Sequence, residues 1–143
     1  MTKRILIATD GSDLSRRAAA VGVALAKSLG ASVVGCAALR VYPYHGVGGE
    51  VAPAEVAFQA QAAAEANRNL DDVERSAAEA GVAFTRVLRE GNPDDIILQA
   101  AETEGCDFIV MASHGRRGVA SLLLGSQTQR VLARSSRPVL VVR

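Results

Sequence analysis

Aromatic residues are scarce in this 143-residue chain: three Phe, two Tyr and no Trp. Stacking platforms of the kind that hold single-stranded nucleic acid are therefore lacking. The core has to be built from Ala, Val, Leu and Ile, which suits closely packed helices and strands. An excess of one charge is lacking too. Lys and Arg number 16 against 15 Asp and Glu, with no basic run, so bulk electrostatics predict binding to neither nucleic acid nor membrane. No apolar run approaches the roughly 20 residues that span a bilayer. An apolar strand follows directly on Met1-Thr2-Lys3-Arg4, which leaves no room for a signal peptide. The cysteines are only Cys36 and Cys106, in strand or pre-strand positions far from metal-ligand spacing. Compartment logic predicts buried, reduced thiols in a cytoplasmic protein. The pattern Gly-x4-Gly-Lys-[Ser/Thr] does not occur, which excludes a P-loop NTPase by pattern. His114 has neither a second His or Cys at ligand spacing nor an evident partner carboxylate, which argues against a metal or general-acid role. Gly46-Val47-Gly48-Gly49 lacks the third glycine of a dinucleotide fingerprint in register.

What is present is an apolar fraction of 49%, enough for one domain over residues 1–143 with a substantial core. Ile5-Leu6-Ile7-Ala8 reads as a buried first strand, within Lys3 to Thr9. Asp10-Gly11-Ser12 is a turn, with Ser12 as N-cap of a helix whose apolar face is Leu14, Ala18, Val21, Leu25 and Leu29. Gly30 ends that helix. Ser32 to Leu39 is a second strand, and its small residues predict a close neighbour. Val41 to Val51 is a loop. Pro53 suits the first turn of a long helix to Ala80, with Val56, Ala60, Ala63, Leu70, Val73 and Ala77 inward. Val82 to Arg89 alternates, with Val82, Phe84 and Leu88 on one face and Thr85 and Arg89 opposite. That predicts a half-exposed edge strand. A helix with Ile96, Ile97, Ala100 and Ala101 follows, closed by Gly105. Asp107 to Ala112 is apolar without alternation and so a central strand. Ser126 to about Ser135 is the last helix and Pro138 to Arg143 the last strand.

Five strands alternating with four helices predict a doubly wound parallel sheet in the flavodoxin-like order 3-2-1-4-5, with helices on both faces. Ligands of such sheets bind beyond the carboxyl ends of the strands, where the order reverses. Here that is between the first and fourth strands, at Thr9-Asp10-Gly11 and the segment from Ala112 to Ser126. Met111-Ala112-Ser113-His114-Gly115, nine residues, then Gly125-Ser126 gives a strand, a glycine-bearing loop and a helix N-terminus. Unpaired amides at such a turn suit a phosphate.

Ala112-Ser113-His114-Gly115-(nine residues)-Gly125-Ser126 resembles the nucleotide motif Gly-x2-Gly-x9-Gly-[Ser/Thr] of the universal stress protein family. The opening Ile5 to Ser12, the segment Gly105 to Met111 and the closing Arg137 to Val142 resemble it as well, so the likeness covers the whole chain. It implies an ATP-binding, homodimeric, cytoplasmic protein used under stress, with Mg2+ accompanying the ATP. Carried over by residue, the implied site comprises Ala8, Thr9 and Asp10 after the first strand and Ala38 at the end of the second. Met111, Ala112, His114, Gly115 and Arg117 follow the fourth, and Gly125, Ser126, Gln127 and Thr128 open the last helix. Asp10 would lie at the ribose and a phosphate-bound divalent ion. The Ala38 backbone would meet the adenine edge, and Gly125, Ser126 and the Gln127 amide would hold the terminal phosphates. One departure is Ala112 in place of the first motif glycine. If the position needs a positive φ, alanine costs roughly 1–2 kcal/mol; if it needs only a small side chain, far less.

The apolar last strand, Val139 to Val142, is expected at the opposite sheet edge, where it invites pairing with a second copy. Three functions follow. The first is a nucleotide-sensing regulator without efficient turnover. The second is a slow ATP hydrolase or nucleotidyl transferase that uses Asp10 and a metal. The third is a dimeric interaction protein with an empty pocket.

Overall fold

The structure is a computed structural model that describes residues 1–41, 53–115 and 123–143. Its elements are β1 (Arg4–Ala8), α1 (Asp13–Leu29), β2 (Ser32–Leu39), α2 (Pro53–Glu79), β3 (Phe84–Glu90), α3 (Pro93–Thr103), β4 (Phe108–Ala112), α4 (Ser126–Arg134) and β5 (Val139–Val142). The five strands form one sheet in the order β3-β2-β1-β4-β5, and every pairing is parallel. Both the topology and the edge positions of β3 and β5 agree with the sequence reading. The expected loop over 41–51 lies, apart from Val41, outside the described residues.

Period-two alternation along β1 sorts the core into two layers. Ile5 and Ile7 pack with Ala18, Val23 and Ala26 of α1 and with Val73 and Ala77 of α2. Leu6 packs on the other face with Ile96, Ile97, Ala100 and Ala101 of α3 and with Val131 of α4. Each large side chain withdrawn completely from water in this way contributes roughly 1.5–3 kcal/mol.

The inward face of α1 is the expected one at Ala18, with Leu14 and Leu25 half-buried against the core, but not at Val21 and Leu29. Val21 is 41% and Leu29 44% exposed, and the buried stripe runs through Ser15, Ala18, Ala19, Gly22, Val23 and Ala26. The cause is close approach. A Cβ on Gly22 would stand 2.6 Å from Ile7 Cδ1, so the helix rests on its smallest residues, with larger ones at the flanks. In β2, Gly35 meets the Phe84 ring in the same manner, at 2.6 Å from an added Cβ. The close neighbour expected from the small residues of β2 is therefore the adjacent strand's own aromatic.

The expected face of α2 is correct only in its second half. Ala66, Leu70, Val73 and Ala77 are buried, whereas Val56 is 54% exposed and Ala60 is exposed too. In the first turns of this 27-residue helix the buried residue is Glu55, one position away from Val56. In β3 Val87 is buried against the α3 layer, on the face that alternation assigned to Thr85 and Arg89. Arg86 fastens this edge to α2 through Asp71 at 2.5 Å and Glu74 at 2.8 Å.

Both cysteines are free and buried. Burial pushes the Cys36 thiol up to about 12 and Cys106 up to about 11, so neither carries appreciable thiolate near neutrality.

At the opposite end of the sheet from the candidate site, the Lys3 and Arg4 amides donate to Asp107 Oδ2 at 2.7 and 3.2 Å. These two bonds, Lys3's first, hold the Asp107 carboxyl below the ordinary carboxylate range. A depressed folded-state value means a contribution fully present above the ordinary pKa of about 3.9 and lost as pH falls through the folded value. Wild-type melting temperature should therefore fall more steeply than that of Asp107→Asn below about pH 4. Parallel curves would show that this tie carries no pH-dependent stability.

Candidate functional site

The site is built where β1 and β4 lie side by side while their continuations diverge. Beyond β1, the Thr9 amide adds one more bond to β2, donating to the Cys36 carbonyl at 2.9 Å. Asp10 then turns the chain, its Oδ1 accepting from the Ser12 amide at 2.9 Å. Gly11 takes φ 78°, a left-handed conformation that only glycine adopts without cost. A side chain there would also run into Asn69 of α2. Ser12 caps α1 as expected, its Oγ accepting from the Ser15 amide at 3.2 Å. The Asp10 carboxylate stays exposed at the rim of the sheet.

Strand β2 continues past β1 at this rim. Ala8 pairs with Cys36, and Ala38 lies two positions further on. Parallel ladders alternate the direction of their bonds from residue to residue. Val33 donates towards β3 and Cys36 accepts from Thr9 on the β1 side, so the Ala38 N–H and C=O face the β1 side, past the last bond of that ladder. Ala38 is the residue whose backbone the family resemblance assigned to the adenine edge.

On the other side, Met111 and Ala112 are buried at the end of β4. Ala112 pairs with Val142 as part of the strand, and no described non-glycine residue has a positive φ. The conformational cost of alanine at this position therefore does not arise. Ser113, buried, donates its amide to the Val142 carbonyl at 2.8 Å. His114 places Nδ1 at 3.2 Å from Ser113 Oγ. Gly115 lies against Asp10: a Cβ added to it would meet the carboxylate oxygen. The two segments that the sequence proposed for one crevice are thus in contact across it.

The turn into α4 is closed by the backbone. The Gly125 amide donates to the Ser113 carbonyl at 2.7 Å, and a Cβ on Gly125 would stand only 3.1 Å from His114 Cα. Thr128, buried, donates its Oγ1 to the Ala112 carbonyl at 2.9 Å, so its hydroxyl ties the helix to the end of β4. Gly125 is the N-cap of α4 and has no side chain with which to cap it. The first intrahelical bond of this turn runs from the Gln129 N–H to the Gly125 carbonyl at 3.0 Å, so the Ser126 and Gln127 amides have no partner within the helix. They form a small positive site of the kind that accepts anions.

Of the predicted residues, the structure gathers Ala8, Thr9, Asp10, Ala38, Met111, Ala112, His114, Gly115, Gly125, Ser126, Gln127 and Thr128 at one end of the sheet. Arg117 lies outside the described residues, as do Arg116, Gly118 and the segment Tyr42 to Gly49. Among the described residues no group of three His, Cys, Asp or Glu is arranged to hold a metal ion. Asp10 offers a single carboxylate, which suits an ion brought by a phosphate better than one held by the protein. Sequence reasoning missed Asn69, seated on Gly11 from a distant helix, and nothing local marks it. It also missed Ser113, whose place within the motif was the available signal. A concavity of about 320 Å³ borders the rim at Thr9 and Gly11 and runs between α1 and α2, past Arg16, Asp72 and Arg75.

The sequence model of the universal stress protein family matches residues 1–143. A protein of Thermus aquaticus, described as a universal stress protein in the QAH/OAS sulfhydrylase 3' region, is 42% identical over 149 residues, covering 100% of both chains. Among solved structures, that of MJ0577, a protein of Methanocaldococcus jannaschii, superposes with a TM-score of 0.82 at 27% identity, over 99% of this chain and 96% of the other. A universal stress protein solved in complex with cAMP superposes at 0.73 with 26% identity, over 99% and 97% of the two chains.

Proposed function

The chain belongs to the universal stress protein family, and on that basis we propose that it binds ATP, with Mg2+, and acts as a nucleotide-dependent regulator of the stress response without efficient turnover. The observation that carries this reading is the turn at Gly125-Ser126-Gln127. A helix N-terminus with no side-chain cap opens beside a glycine, Gly115, that leaves room for the Asp10 carboxylate. The cAMP complex of a relative supports an adenine nucleotide as the ligand class.

In this reading the Ala38 backbone meets the adenine edge, and Ala8, Thr9, Met111 and Ala112 form the floor. Asp10 takes the ribose and an ion carried by the phosphates. Gly115, Gly125 and the amides of Ser126 and Gln127 hold the phosphates, with His114, Arg117 and Thr128 around them. Residues 1–143 act as a single domain in the cytoplasm. A homodimer forms through β5, whose residues are all half-buried and which pairs only with β4 among the described residues. Turnover is disfavoured because His114 Nδ1 is turned to the neighbouring Ser113 hydroxyl and no described carboxylate orients it as a base.

Equilibrium dialysis with Mg-ATP, followed by chromatography of the bound nucleotide, tests the proposal. Stoichiometric ATP recovered intact is the expected result. Multiple turnover that disappears in Asp10→Ala would establish an enzyme instead, and a folded dimer that retains no nucleotide would leave an interaction protein.

A further inference from the structure

The last helix is held by a device that no motif describes. In α3, Asn92 is the N-cap but makes no side-chain capping bond, and Pro93 at the first position has no N–H to offer. The first amide of α3 in need of a partner is therefore that of Asp94. It donates to Gln127 Oε1 at 3.0 Å, so α3 is capped in trans by a residue of α4. Two helical turns further along α4, Arg134 Nη1 reaches Asp94 Oδ2 at 2.7 Å and Asp95 Oδ1 at 2.7 Å. Gln127, Val131 and Arg134 follow the i, i+4, i+7 spacing and share one face of the helix. Val131 between them is fully buried, while Asp94 is itself buried. Beyond this seam α4 has little to rest on: α3 is its principal packing partner, and only Thr128 and Val131 of the helix are buried.

We propose that Gln127 and Arg134 are positioning residues that clamp both ends of α4 onto Asp94 and so aim the Ser126 and Gln127 amides at the phosphates of the ligand. Gln127 has two separate duties under this assignment. Its backbone amide faces the ligand, and its side chain fixes the direction in which that amide points. The inference rests on the nucleotide reading of the site and adds to it how the phosphate turn is held. The resemblance-based assignment of Gln127 used only its main chain.

Gln127→Met keeps the side-chain length while removing the acceptor, and Arg134→Met keeps an unbranched apolar stem while removing the charge. Binding of Mg-ATP and of adenosine to the full chain, measured by calorimetry, separates positioning from general damage, because adenosine has no phosphate to meet α4. Each variant is expected to lose about fivefold to tenfold in ATP affinity with adenosine affinity unchanged, and Arg134→Lys is expected to recover part of the loss. ATP affinity equal to wild type in folded variants would overturn the clamp while leaving the nucleotide site intact. A parallel loss of ATP and adenosine would overturn it as well, by showing a disturbance of the whole fold. Wild-type protein that binds neither ligand would overturn the nucleotide reading itself.

Discussion

Gly115→Val is expected to abolish the thermal stabilisation that Mg-ATP confers on the wild-type protein. A ligand that binds only the folded state adds RT ln(1 + [L]/Kd), about 2.7 kcal/mol at a hundredfold excess over Kd. In a domain of this length that corresponds to a rise in melting temperature on the order of 10 °C. The variant should lose nearly all of it, because the first atom of any side chain at position 115 is placed on the Asp10 carboxylate. The Asp10 carboxylate must then swing away from the place it holds beside Gly115, and the valine side chain takes that place in the crevice. Gly115 is exposed, so the stability of the ligand-free protein should change little. Differential scanning fluorimetry with and without Mg-ATP reads both quantities at once. A full ligand-induced shift in the variant would place the nucleotide elsewhere. A large drop in the ligand-free melting temperature would instead give Gly115 a role in the fold.

Leu70→Ala is expected to cost about 2–5 kcal/mol in urea or thermal unfolding, the range for truncating a fully enclosed leucine. That is a large share of the roughly 5–15 kcal/mol that separates a native domain from its unfolded chain. Leu70 is 0% exposed and is the one large side chain of α2 that is completely buried. The rest of the inward face consists mainly of Ala66, Val73 and Ala77. Leu70 packs with Ala37 and Ala66, flanked by Leu39 and Leu88, and its Cδ2 would lie 3.4 Å from a Cβ on Gly35. The Phe84 ring takes the space at Gly35, and Leu70 packs beside it. A loss below about 1 kcal/mol would show that α2 settles into the gap, at the low end of what truncation series allow.

The topology was legible because its markers are local. Continuous apolar runs identify β1 and β4 as central, alternation identifies β3 as an edge, and helices that close at Gly30, Gly81 and Gly105 set the boundaries. All three of these glycines have a positive φ. Asp10-Gly11, Gly115 and Gly125-Ser126 at the order reversal were legible for the same reason, since they differ in composition from the strands and helices around them. The helix faces were less legible. Periodicity gives weight to large residues, so it chose Val21 in α1, where contact is made through Ala18, Gly22 and Ala26. It chose Val56 in α2, where Glu55 is the buried residue. The supports of the site were not legible at all. Gln127 and Asp94 are separated by 33 residues and Arg134 and Asp94 by 40. Only the fold brings them together, and each residue type is ordinary for a helix.

The two glycines at the packed layer bear on how this sequence can drift. At Gly22 and at Gly35 the space for a methyl group is already taken, by Ile7 and by Phe84 respectively. Neither position can grow unless its neighbour shrinks first or at the same time. A lineage that acquires alanine at position 22 is therefore constrained to a smaller residue at position 7, and one that fills position 35 must give up the ring at 84. Substitutions at these pairs should be inherited together, while the exposed Val56 and Ala60 of α2 vary without reference to any strand.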